Sequence, residues 1–440
     1  MPKILFIQPS QYSSTGRLVR QKKIYLPGLV FPLLAAMLPK NWEVEVRLEV
    51  VEDIPFDTDA DIVGIGAMGH AIIRALELAE TFRKKGKKVV LGGYMASIMP
   101  DYALNFADSV VIGDAEISFP QLLRDYETTG NIARIYDNPV EKLDGLPVPA
   151  YELLTSKQIG DMLPVQAGRG CVHNCTFCSI ACLYKGRYVV RPVDEVIRDI
   201  QKIKSLGFEK FYLIDDNIAG NPVYLEELCL KIKPLRMKWA SQSTLNLAGN
   251  MKLLRLAADS GCEILSLGLE SISQEGLNKL NKKWLKVDQH EMMLGNYRKV
   301  GIMVSAEMII GTDGDTVDSL KATYDFIMKT RLPLVRVYIL VPVVGTPMYH
   351  DLLKQGKIIR QEHQYYDAAH CVHIPEKITP EDLEQMYHWM NKKIFSMRSI
   401  ILRTLLNSSI LKQPLNHLMA FAVNLHYRKS VRRGDTPLIL

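Results

Sequence analysis

Apolar and polar positions along the first 136 residues follow two periods in turn. Lys3 to Gln8, Glu43 to Glu49, Asp61 to Gly66, Lys88 to Leu91 and Ser109 to Ile112 are short strand-type runs, and three of them end at or just before glycines. Between them, Leu29 to Leu38, Ala71 to Lys85 and Glu116 to Tyr126 repeat apolar residues at helical spacing. Strands alternating with helices imply parallel βαβ units, so this segment is predicted to be a doubly wound, Rossmann-like α/β sheet. Ligands of such sheets lie beyond the C-terminal strand ends, where Gly64, Gly66, Gly69, Gly92, Gly93 and Gly113 fall.

Residues 137–159 break the alternation. Pro139, Gly145, Pro147 and Pro149 mark a linker. Over 160–348 it restarts, with strands at Leu163 to Ala167, Lys210 to Ile214, Lys238 to Ser243, Glu263 to Leu269, Met303 to Ile310 and Val335 to Val341. Helical spacing fills 193–206, 222–233, 251–260, 287–300 and 315–329. Six strands joined by connections long enough for right-handed crossovers predict a partial (β/α)6 barrel of TIM type, with its site at the C-terminal strand ends. From 349 to 440 the pattern is mostly helical. Thr379-Pro380-Glu381-Asp382 supplies an N-cap, a proline at the first helical position and acids in the first turn.

Composition adds little to this until charge is mapped along the chain. The 440 residues are 48% hydrophobic and 23% charged, which excludes a disordered chain. Residues 391–440 hold nine Lys/Arg and one acid, leaving the rest of the chain close to neutral. That excludes a nucleic-acid channel through the main domains and leaves a basic tail, for which a peripheral membrane contact is the expected use. The apolar residues of 394–411, with Arg398, Arg403 and Lys412 around them, extend that expectation to an interfacial segment. No apolar run reaches the ~18 residues of a membrane span, and the opening Met-Pro-Lys lacks a leader pattern, so the expected location is cytoplasmic.

Cysteine use is the sharpest signal. None of the seven lies in residues 1–170, while Cys171, Cys175, Cys178 and Cys182 fall within twelve residues just after the first barrel strand. Cys171-x3-Cys175-x2-Cys178 on one loop can ligate three irons of a four-iron cluster and leave the fourth iron open. A closed zinc site, with Cys182 or His173 as fourth ligand, is the alternative. Cys229, Cys262 and Cys371 are expected to be buried structural thiols.

This spacing, with Phe177 before the last cysteine, resembles the radical S-adenosylmethionine (SAM) enzymes over roughly residues 160–350. Tyr212 to Asn217, Ser266 to Ser271, Glu307 to Gly311 and Pro342 to Pro347 carry the resemblance further, each near a barrel strand end. It implies a 4Fe-4S cluster on Cys171, Cys175 and Cys178, and SAM at the open iron. Phe177 would sit near the adenine, and Asp216, Ser241 and Glu270 would bond the ribose or the methionyl ammonium, with Glu270 the residue closest to catalysis.

The N-terminal half is similar to the cobalamin-binding domain carried by many radical SAM enzymes, through Gln8-Pro9, Gly64, Gly66, Gly92, Gly93 and Gly113-Asp-Ala-Glu116. That resemblance implies a cobalamin cofactor with glycines making room for the corrin. No D-x-H-x-x-G follows the first strand, so a base-off cobalt without a histidine ligand is expected. The C-terminal part, through Tyr366 to His370 and Thr379 to Glu384, resembles the hopanoid C-methylase subgroup. Together these imply a class B radical SAM methyltransferase that methylates an unactivated carbon of a hydrophobic tetrapyrrole or hopanoid-like lipid through a 5′-deoxyadenosyl radical and methylcobalamin. A flavodoxin or ferredoxin would supply electrons. A cobalamin-dependent oxidative cyclase or rearrangement enzyme is the alternative, and a non-catalytic Fe-S redox protein a weaker one. A methylthiotransferase would need three N-terminal cysteines that this chain lacks.

Overall fold

The computed structural model describes residues 1–437. Six strands form its first sheet: β1 (Lys3–Gln8), β2 (Glu43–Leu48), β3 (Ile62–Gly66), β4 (Lys88–Gly92), β5 (Ser109–Val111) and β6 (Ile135–Tyr136). They lie in the order β2-β1-β3-β4-β5-β6, all parallel. Ile4, Leu5, Phe6 and Ile7 of β1 are all at most 2% exposed, because a central parallel strand is covered on both faces. The order of the strands reverses between β1 and β3, and a doubly wound sheet opens its ligand crevice at such a point. Gln8 and Gly66 stand at those two strand ends.

The second sheet collects β7 (Met162–Gln166), β10 (Lys210–Ile214), β11 (Lys238–Ser243), β12 (Cys262–Glu270), β13 (Met303–Ile310) and β14 (Leu334–Ile339) in sequence order. A small antiparallel pair, β8 (Gly168–Gly170) and β9 (Tyr188–Val190), brackets the cysteine loop. The predicted strand bounds hold to within two residues. The helices Val193–Ser205, Pro222–Ile232, Met251–Asp259, His290–Val300 and Val317–Thr330 fill the expected gaps. Two compact units emerge from the packing. One is Met1–Gln166 with Asp194–Phe208, and the other is Ala167–Val193 with residues 209–437.

The chain after residue 349 is helical and packs with the second unit. Thr379 caps the helix Pro380–Ile394, its hydroxyl accepting from the Asp382 amide at 3.1 Å. One expectation for the tail is corrected. Arg403 is not a lipid-facing cation: it is fully buried and donates to the carbonyls of Leu332 (2.8 Å) and Ile394 (3.0 Å) and to Asn424 Oδ1 (2.8 Å). Those oxygens take up the desolvated guanidinium's donors. Residues 414–432 form a helix of 19 residues. Its inner face, with Ala420, lies on Met303 and Leu334, the first residues of β13 and β14.

His290, at the start of the helix His290–Val300, is wholly buried, and neither ring nitrogen has a partner among the described residues. Burial, and then the Lys282 charge, push its pKa down to about 4. A group whose pKa is lower in the fold than in the unfolded chain binds fewer protons there, so stability is lost as pH falls from about 6.5 to about 4. His290→Leu leaves no acceptor or donor unpaired and is expected to flatten the urea midpoint over that window relative to the unsubstituted protein. An unchanged difference profile would count against the account.

Candidate functional site

The cysteine loop starts from Gly170, whose φ of +81° excludes a side chain, since a Cβ there would collide with the Arg187 carbonyl. The Gly170 amide donates to Asp216 Oδ2 at 2.8 Å, tying the loop to the end of β10. From the far side, Thr176 N donates to the Leu280 carbonyl (3.2 Å) and Asn281 Nδ2 to the Asn174 carbonyl (2.7 Å). His173 stacks on Trp284 with ring centroids 3.8 Å apart. Main-chain contacts thus fix the loop and leave its thiols available.

Cys171, Cys175 and Cys178 lie close enough for the Cys171 and Cys178 charges to raise the Cys175 pKa. No three of their kind close on a single-ion site among the described residues. Burial raises all three thiols, Cys175 to about 12. Against this, N–H donors already point at the sulfurs. The His173 amide and Asn217 Nδ2, the latter at 3.8 Å, face Cys171, and the Ala181 and Ile180 amides face Cys178. Donors of that kind suit thiolate sulfur bound to iron. Cys182 differs: its Sγ donates to the Gly345 carbonyl at 3.1 Å, which requires a thiol. Cys229, Cys262 and Cys371 are buried, as expected of structural thiols.

Glu270 ends β12 with φ +57°, in the left-handed region. A register shift between Gly268 and Glu270 bends the strand and folds the carboxylate back over Gly268, where any Cβ would meet it. Lys282 Nζ meets Glu270 Oε1 at 2.6 Å and the Gly268 carbonyl at 2.9 Å, and its ammonium lies 5.4 Å from the Trp284 ring. One buried cation therefore joins the strand-end carboxylate to the cysteine loop through Trp284 and His173. Sequence reasoning missed Lys282, Asn217 and the His173–Trp284 stack. Asn217 lies in the Tyr212 to Asn217 run, but nothing in composition or period marks a lysine as buried.

The remaining expected SAM residues are placed as follows. Phe177 is half-buried on the loop. Asp216 has one oxygen occupied by Gly170. Ser241 is buried and donates to the Leu213 carbonyl at 2.8 Å, so its hydroxyl proton is committed and only its acceptor capacity remains. Beside it, Asp215 is pushed up to about 7 by burial, while Tyr188 donates to it at 2.8 Å.

In the first unit the glycines divide by what they make room for. A Cβ at Gly64 would strike the Phe6 ring at 2.8 Å, and one at Gly66 would press the Phe31 ring at 3.1 Å. Gly93, at φ +101°, would drive a Cβ into the Ala67 carbonyl. These three are required by the chain's own packing, so their lack of side chains is not by itself room for a ligand. Gly92 and Gly113 face open space, a Cβ at either meeting nothing nearer than 4.0 Å among the described residues. Gln8 Oε1 accepts from the Gly28 amide at 3.3 Å. Gly93→Ala is expected to cost at least about 1–3 kcal/mol, read as a fall in the chemical-denaturation midpoint, whereas Gly92→Ala should leave it nearly unchanged.

The sequence profile of the radical SAM superfamily matches residues 165–327. Residues 165–327 are a radical SAM domain. Beyond it, the chain is 26% identical over 411 residues to bacteriochlorophyllide d C-12(1)-methyltransferase of Chlorobaculum tepidum, covering 91% of this chain and 89% of that protein. It is 25% identical over 367 residues to the hopanoid C-2 methylase of Rhodopseudomonas palustris, covering 77% and 67%. Among solved structures it resembles the radical S-adenosylmethionine methyltransferase TsrM from Kitasatospora setae, determined with cobalamin and a 4Fe-4S cluster bound. The TM-score is 0.66 over 82% of this chain and 76% of TsrM, at 17% identity, a likeness of fold. The radical SAM domain spans β7 to the helix Val317–Thr330, so it contains the cysteine loop, Asp216, Ser241, Glu270 and Lys282.

Proposed function

We propose that this chain is a cobalamin-dependent radical SAM methyltransferase that methylates an unactivated carbon of a tetrapyrrole. The observation that carries the site is the thiol loop, where Cys175 is buried and Cys171 and Cys178, both half-buried, collect N–H donors, while Cys182 is spent on a carbonyl. Methyltransferase relatives matching nearly end to end support the reaction, and the bacteriochlorophyllide enzyme among them supports a tetrapyrrole ahead of a hopanoid-like lipid.

When bound, the cluster, SAM and cobalamin supply hydrogen abstraction by a 5′-deoxyadenosyl radical and the methyl group that replaces the hydrogen. The chain's own part is to hold and to exclude. Cys171, Cys175 and Cys178 hold the cluster, and Asn217 and the loop amides stabilise charge on its sulfurs. Glu270 receives the ammonium of SAM, and Lys282 neutralises that carboxylate beforehand. Phe177 covers the adenine, and Asp216 and Ser241 accept from ribose hydroxyls. Gln8, Gly66, Gly92 and Gly113 border the crevice that takes cobalamin at the sheet's switch point, with Gly64 and Gly93 shaping the strands beneath. Electrons come from a flavodoxin or ferredoxin.

The cofactor half is tested by anaerobic gel filtration with added hydroxocobalamin, followed by electron paramagnetic resonance of the reduced cob(II)alamin state. Stoichiometric retention and a base-off spectrum without nitrogen splitting are expected. Loss of all cobalamin on the column would refute the domain reading. Nitrogen splitting would refute the missing-ligand reading and point to His70, the sole histidine of residues 1–166.

A further inference from the structure

We propose that the outward face of the helix Pro414–Arg432 docks on an anionic membrane. A helix lying on a protein ordinarily turns its polar side outward. This one instead turns leucines outward. His417, Ala420, Asn424 and Tyr427 are buried, Asn424 Nδ2 donating to the Pro333 carbonyl at 2.9 Å. On the opposite side Leu415, Leu418 and Leu425 are 78%, 53% and 37% exposed, spaced three and seven residues apart with the exposed Ala422 between the last two, and Leu411 just before them is 92% exposed. The same stripe continues into Lys429 and Arg432, both exposed.

Charge decides the occupant. No acid occurs between Glu384 and Asp435, while Lys412, Lys429, Arg432 and Arg433 are exposed. Pairing with a second copy would oppose like charges in either orientation: a parallel pair sets Lys429 and Arg432 against themselves, and an antiparallel pair sets them against Lys412. The apolar repeat is also shorter than coiled coils normally need. A bilayer carrying anionic headgroups offers an apolar depth for the leucines and opposite charge for the cations. No helix among the described residues is long and apolar enough to cross a membrane, so the contact is peripheral. The helix lies at the first residues of β13 and β14, whereas Glu270 and the cysteine loop lie at the far strand ends. Docking is thus separable from the site chemistry and does not rest on the proposed reaction.

The test is flotation of the full chain with vesicles of phosphatidylcholine alone or mixed with phosphatidylglycerol, at low and high salt. Binding to the anionic vesicles at low salt is expected, weakened by salt. Leu415→Gln with Leu418→Gln, and separately Lys429→Gln with Arg432→Gln, should each weaken partition by roughly tenfold or more. Both pairs are exposed, and their iron content after reconstitution should match that of the unsubstituted chain. Three results overturn the proposal: no binding at low salt, binding that neither double variant weakens, or a dimer that the leucine variant converts to monomer.

Discussion

Alanine at Cys171, Cys175 or Cys178 is expected to abolish the iron-sulfur cluster and the cleavage of SAM together, whereas Cys182→Ala retains most of both. Each of the three thiols supplies one ligand to an iron, and losing one opens a second iron to water. Cys182 points elsewhere, its hydrogen on the Gly345 carbonyl. Iron and sulfide content and 5′-deoxyadenosine yield of each anaerobically reconstituted variant make the comparison. A Cys182 variant as empty as the others would show that four cysteines, not three, hold the metal, and would return the closed zinc-type arrangement to consideration.

Lys282→Met is expected to cost about 3–5 kcal/mol of stability, because it leaves Glu270 buried without its cation. The side chains of the pair are only 7% and 9% exposed, so water cannot take the place of the ammonium. Replacing both partners, Lys282→Met with Glu270→Gln, removes the stranded charge and should recover most of the loss. Urea denaturation of the two variants reads this out. If the double variant is no more stable than the single one, the ion pair is not what the lysine contributes. SAM binding separates the roles further: the double variant should fold and still lose SAM affinity, because Glu270 is the residue assigned to the ammonium.

How much of this was legible beforehand depends on what each feature rests on. Parallel strands carry their signal in consecutive apolar residues. β10 and β13 were therefore readable to the residue, β11, whose only apolar pair is Trp239-Ala240, was placed by its position between helical stretches, and the barrel followed from the count and spacing of the strands. The cysteine loop was legible because three thiols at such spacing have few other uses. The pair β8 and β9 was not, since three-residue strands of Gly-Arg-Gly and Tyr-Val-Val type lack a period. The tail misled in a specific way. Apolar residues of 394–411 with interspersed cations read as one amphipathic surface, but Ile394, Phe395, Ile400 and Arg403 point into the protein; only Leu406 and Leu411 among its leucines are exposed, and the exposed row continues past it to Leu425. Burial of an arginine depends on carbonyls 9 to 71 residues away, which no local pattern encodes. The glycines show the same limit: period and position marked Gly64, Gly66 and Gly93, but only the neighbours reveal that Phe6, Phe31 and the Ala67 carbonyl occupy the space.

The central claim is that a methyl group leaves SAM and arrives on carbon. The direct measurement is anaerobic turnover of the protein, loaded with cluster and cobalamin, on a bacteriochlorophyllide-type tetrapyrrole with SAM labelled as trideuteromethyl, followed by mass spectrometry of the product. The account expects the intact trideuteromethyl group on the tetrapyrrole, with 5′-deoxyadenosine formed alongside it. An oxidised or rearranged tetrapyrrole without label, accompanied by deoxyadenosine, would contradict it and identify a cyclase or rearrangement enzyme instead.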